Sequence, residues 1–177
     1  MFTKLAYYIP DFAALAAVYI LVFLPRLKKQ SSVRLVLCTI FYLYLCLVIY
    51  KTLMPVLTSL PQMFHHVYNS MNMSPFIDIL EGHDNARQDI ILNIVMVIPL
   101  GFMFPIITDN KIGKTIAAAF LLSLCIELVQ PLLSTYRVAD ISDVIDNTLG
   151  GFIGYLIYYP FRTKIQAFIH FHDKAGI

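Results

Sequence analysis

The residues of this chain with chemical capacity are carboxylates, amides and one arginine set against membrane-grade apolar runs: Glu127, Asp140 and Asp143, with Asn93, Gln130, Arg137 and Asn147. Two carboxylates with an amide beside them suit general acid/base work, the amide orienting the substrate. An arginine among them suits an anionic head group such as phosphate, which its planar fork binds in a bidentate manner. A carboxylate-rich set also suits Mg, Ca or Mn; whether a metal or other cofactor takes part is left open by the residues. The alternative is structural, a buried ion-pair network that fixes helix register. Glu127, Asp140 and Asp143 outnumber Arg137 by two, and that excess of acid favours a bound cation, a protonated carboxyl or a substrate with donors.

Positioning these groups takes helices. If the chain is helical from Asp140 to Gly154, then Asp140, Asp143, Asn147, Gly151 and Gly154 lie at offsets of three, seven, eleven and fourteen, one face of one helix. Its polar upper half continues into a glycine lower half, and Gly150-x-x-x-Gly154 is the small-residue pattern of close helix packing, within one chain or across a dimer. Ser123, Glu127 and Gln130 form one face of a second helix, and Asp89 with Asn93 one face of a third. Glu127, six residues before Leu133, sits about 9 Å below that helix end.

Composition sets the environment. Of 177 residues, 59% are hydrophobic and 14% charged, where soluble domains carry about a quarter charged residues. Apolar runs at Phe12 to Leu24, Val33 to Leu53, Ile90 to Ile107, Thr115 to Leu133 and Ile141 to Phe161 each approach the roughly 20 residues that span a bilayer. The expectation is an all-α, polytopic membrane bundle of about five transmembrane helices, one membrane domain over residues 1–177. Its partner is the lipid bilayer and not nucleic acid. Cys38, Cys46 and Cys125 fall inside spans and imply no disulfide framework.

Basic residues orient the bundle. Arg26, Lys28, Lys29 and Arg34 follow the first run, with no acid among them. Placing that loop in the cytoplasm puts the N-terminus outside and the C-terminus inside, with Lys111, Lys114, Arg162, Lys164 and Lys174 also inside. The polar faces of three helices then converge at the depth of the outer leaflet. The outer segment from Met54 to Gln88 is longer than a connection needs. Leu57, Leu60, Phe64, Tyr68 and Met71 recur in it at helical spacing, an amphipathic helix on the outer surface starting no earlier than Pro61. His65, His66 and His83 fall in this segment, but no serine or cysteine nucleophile has an obvious histidine partner.

Taken as a set, Asn72-x-x-Pro75-Phe76, Asn93-x5-Pro99-Leu-Gly101, Ser123-x3-Glu127-x2-Gln130 and Asp140-Ile-x-Asp143-Val-x-x-Asn147-Thr-x-Gly150-Gly151-x-x-Gly154 resemble the VanZ-like membrane proteins, over residues 70–160. The resemblance implies a bacterial protein of the cytoplasmic membrane whose polar face looks toward the cell wall. It also implies a link to glycopeptide resistance, above all to lipid-bearing teicoplanin, without remodelled wall precursors. It assigns no catalytic residue.

Three functions follow from these residues. The first is a membrane enzyme, a hydrolase or transferase acting on a lipid-linked envelope precursor, with Glu127, Asp140 and Asp143 as acid/base groups or metal ligands and Asn93, Gln130, Arg137 and Asn147 holding substrate. The second is a non-catalytic protein that binds a lipid or the acyl tail of a lipoglycopeptide. The third, a transporter, calls for polar groups at the midplane and an inverted repeat, and the sequence displays neither.

Overall fold

The computed structural model describes residues 6–63, 70–108, 111–134 and 137–175. They form an all-α bundle: α1 (Ile9–Leu27), α2 (Ser32–Thr52), the short α3 (Ile77–Leu80), α4 (Ala86–Thr108), α5 (Ile112–Leu133), α6 (Ile141–Tyr158) and α7 (Arg162–Ala175). Among the described residues there is no strand, only an isolated parallel bridge between Asn72 and Asp140. Helices α1, α2, α4 and α5 are each long and apolar enough to cross a membrane, so the chain is a multi-pass membrane protein. The fifth run, α6, is shorter and more polar, because its first two turns carry Asp143, Asp146 and Asn147. Its 18 residues still measure about 27 Å.

Helix α6 is the centre of the bundle, packed against α4 most extensively and then against α5. The reason is glycine. A Cβ on Gly150 would lie 2.3 Å from the Ile94 carbonyl oxygen, one on Gly154 2.1 Å from that of Ile98, and one on Gly101 2.0 Å from that of Gly151. On the α5 side, a Cβ on Gly151 would meet the Ala119 methyl at 2.4 Å. Gly150-x-x-x-Gly154 therefore packs within the chain, against α4. Without a hydrophobic force between helices in lipid, such backbone approach is what associates them. Val97, Leu100 and Ala119 fill the adjoining core, while Ile91, Leu92, Val95, Leu121 and Leu156 stay exposed as a lipid-facing surface.

Prolines interrupt the helix ladders. Pro25 lacks an N–H, and the turn before it relaxes to a π-helix over Tyr19–Phe23. Within α4, Pro99 cannot donate to the Val95 carbonyl one turn back, and nearby the Tyr44 hydroxyl donates to the Met96 carbonyl at 2.8 Å, joining α2 to α4. Helix α1 joins α2 through the Tyr42 hydroxyl on the Leu15 carbonyl (2.7 Å) and ring contacts of Tyr42 with Tyr19 and Phe23. At its first turn the buried Asp11 accepts the N–H groups of Val56 and Leu57, both at 2.9 Å, tying the following segment down.

Of the surface helix expected from Pro61 to Met71, residues 64–69, with His65 and His66, lie outside the described ones; the flank before them carries a 3-10 turn, Leu60–Gln62. Sequence reading did not anticipate α7. A 3-10 turn at Tyr159–Phe161 ends the fifth run, and α7 then folds back on the bundle, burying Ile169 with Ile106, Tyr155 and Tyr158.

Candidate functional site

One end of the bundle gathers the polar residues. The chain enters α6 extended, with Asp140 as N-cap; its Oδ1 accepts the Ser142 N–H at 2.6 Å, satisfying one of the helix's orphan donors. Its Oδ2 accepts from the Asn72 amide at 2.8 Å. Asn72 is locked to the same strand-like segment by its backbone: its N–H donates to the Ala139 carbonyl (2.8 Å) and its carbonyl accepts from Ile141 (3.0 Å). Ser142 Oγ accepts the N–H of Phe76 at 2.9 Å, holding that residue in the left-handed region at φ 59°.

Glu127 is 2% exposed, and its Oε2 accepts the Asp140 backbone N–H at 3.0 Å. It braces the entry to α6 from α5 rather than facing the open site. Asp143, one turn into α6, accepts from the Asn93 amide at 2.7 Å, joining α6 to α4. Asn147 is buried a turn deeper and donates to Ser123 Oγ at 2.8 Å; Ser123 in turn donates to the Asp143 carbonyl at 3.3 Å. Beside it the buried Asp146, not among the residues singled out by type and spacing, has no hydrogen-bond partner for Oδ2 among the described residues, nor has Asn147 for Oδ1.

Gln130 and Arg137 meet at a backbone group. The last carbonyls of a helix have no partner in their own ladder, and that of Thr52, closing α2, accepts from Gln130 Nε2 at 3.2 Å and from Arg137 Nη1. A cation at this end also suits the α2 dipole.

Between these elements lies an open cleft of about 1030 Å³. Asn93, Gln130, Arg137, Asp140 and Asp143 line it, together with Asn72, Lys51, Asp78 and Asp89, and Leu92, Val95 and Met96 of α4 form an apolar side. Of the seven residues read from sequence as a site, five line the cleft, while Glu127 and Asn147 lie behind it as supports. Lys51 and Asp78 had no helical-face signal to mark them. Asn72 and Asp89 stood in motifs whose partners only the fold supplies. Among the described residues, no three His, Cys, Asp or Glu side chains are grouped to hold a metal ion; Glu127, Asp140 and Asp143 each accept from separate donors, four in all. His83 pairs with Asp78 at 3.0 Å on the exposed α3 flank.

Comparison with known proteins places the chain in a family. The family model VanZ/LLP1 matches residues 41–163, which take in α4, α5, α6 and the second half of α2. Protein VanZ of Enterococcus faecium is 32% identical over 118 residues, covering 66% of this chain and 69% of that protein. No solved structure matches the chain. The matched span holds every residue that lines the cleft, and the chain belongs to the VanZ/LLP1 family.

Proposed function

We propose that this protein works at the outer leaflet of a bacterial cytoplasmic membrane, N-terminus outside and C-terminus in the cytoplasm, and contributes to tolerance of glycopeptides of the teicoplanin type by engaging a lipid-linked envelope component or the lipoglycopeptide itself. The observation that carries the reading is the cleft: charged groups of both signs beside an apolar wall on a lipid-facing helix. An amphiphile fits such a site, its head group among Lys51, Arg137 and the carboxylates, its chain along Leu92 and Val95. Asp143 is the group placed for chemistry, since it lines the cleft and Asn93 orients it. Glu127, Gln130 and Asn147 are positioning residues, acting through Asp140, Thr52 and Ser123. Asp140, with both oxygens engaged, shapes the rim.

The non-catalytic reading draws on the same apolar wall, which suits binding of an acyl chain without any reaction. Parent, Asp143→Asn and Val95→Asn are expressed in a glycopeptide-sensitive host, and tolerance and protein abundance are measured together. Loss of teicoplanin tolerance in Asp143→Asn at normal abundance supports the enzyme; loss only in Val95→Asn supports the binder. Teicoplanin tolerance is expected to rise more than vancomycin tolerance with the parent protein. Equal protection against both, or full tolerance in both variants, overturns the assignment to this cleft.

A further inference from the structure

The opposite end of the bundle carries a second polar recess, of about 570 Å³, lined by Lys28, Lys29, Gln30, Ser31, Arg34 and Asp173. It is built from two distant parts of the chain. Ser31 caps α2, its Oγ accepting the Arg34 N–H while donating to Asp173. Arg34 holds Asp173 through Nε (3.1 Å) and Nη2 (2.8 Å), and its Nη1 donates to the Ile107 carbonyl at the end of α4 (3.2 Å). Arg34 holds Asp173, and among the described residues no other acid lines the recess, so the positive charge of Lys28 and Lys29, both exposed, dominates it.

The clasp also sets the attitude of α7. This helix buries Ile169 against the bundle, while Phe168 and Phe171, three residues apart on one face, are 55% and 67% exposed. Lys164, four before Phe168, and Lys174, three after Phe171, border that face and are exposed as well. A helix whose bare aromatics are bordered by lysines suits a membrane interface, aromatics toward the acyl chains and lysines toward the head groups. Its Asp173 end meets Ser31 and Arg34 beside the turn that joins α1 to α2.

We infer that this end is an anionic-lipid site: the phosphate of an anionic phospholipid docks in the Lys28–Lys29 recess, and Phe168 and Phe171 of α7 insert among the acyl chains beside it. Lipid, rather than a free phosphate, is the ligand because the recess adjoins both the membrane-spanning faces and the exposed phenylalanines. Basic residues at an interface each favour an anionic leaflet by about fivefold in affinity, so the two lysines together supply roughly 30-fold.

The test uses the full-length protein in detergent, titrated with phosphatidylglycerol or phosphatidylcholine, with retained lipid counted by native mass spectrometry. Phosphatidylglycerol is expected to be retained strongly over phosphatidylcholine, and Lys28→Gln/Lys29→Gln to weaken that retention roughly 30-fold. Phe168→Ser/Phe171→Ser is expected to weaken it with the lysines intact. All four positions are exposed, so the variants should stay folded, checked by thermal stability. Equal retention of the two lipids, or undiminished retention by the lysine variant, overturns the inference. So does displacement of the lipid by inorganic phosphate at matched concentration, which would mean a free-anion site.

Discussion

Substituting Gly154 by Ala tests the packing on which the cleft depends. The added Cβ would lie 2.1 Å from the Ile98 carbonyl oxygen, and also 2.8 Å from Gly101 Cα and Phe102 N. Ordinary contact begins at 3.4 Å, so the two backbones must part by 3.4 − 2.1 = 1.3 Å. None of the three atoms belongs to a flexible side chain that turns away; α4 itself has to move. A gap near 1 Å forfeits roughly a quarter to a half of each dispersion contact along the seam, and forced overpacking costs about 1–3 kcal/mol. Alanine's better helix propensity returns up to about 1 kcal/mol. For a chain of this size each kcal/mol moves the melting temperature by about 2–4 °C, which puts the expected fall at several degrees. The assay is thermal melting in detergent followed by size-exclusion chromatography. Gly113→Ala is the control, because a Cβ there meets nothing within 4 Å. If Gly154→Ala melts with the Gly113→Ala protein, the α4–α6 seam is not backbone on backbone. If it instead leaves the monomer's stability unchanged and splits a dimer, the glycines pack between chains and the reasoning fails.

Asp140→Ala removes the α6 N-cap and the Asn72 partner together, and should cost about 0.5–2 kcal/mol for the cap and about 1 kcal/mol for the second bond; melting that matches the parent would show the cap is idle. The Arg34 guanidinium and the Ser31 hydroxyl hold the Asp173 carboxyl below its ordinary range. A carboxylate depressed in the folded state stabilises fully above the unfolded value, near 4, and loses that contribution as pH falls through the native one. The stability difference between parent and Asp173→Asn should thus be flat from neutral to mildly acid pH and shrink below about pH 4; a difference that grows on acidification refutes the pairing.

The side chains by themselves determined the class of molecule and most of its frame. Apolar runs long enough for a bilayer mark α1, α2, α4 and α5, and the run beginning at Ile141 starts where Asp140 caps the helix. Helical spacing put Ser123, Glu127 and Gln130 on one face of α5, and all three make tertiary hydrogen bonds from it. Periodicity names a face, however, and not what meets it. Gln130 and Arg137 converge on the Thr52 carbonyl, and Glu127 on the Asp140 N–H; every residue type offers the same backbone groups, so no sequence pattern distinguishes these partners. The pairing of Asn72 with Asp140 spans 68 positions, and only the folded chain decides that separation. The glycine motif left open whether its partner was another copy; the approach of Gly150 and Gly154 to Ile94 and Ile98 carbonyls assigns it to α4. Helix α7 escaped because its charged and aromatic residues carry no spanning signal, and the buried Ile169 acquires meaning only when the bundle lies beneath it.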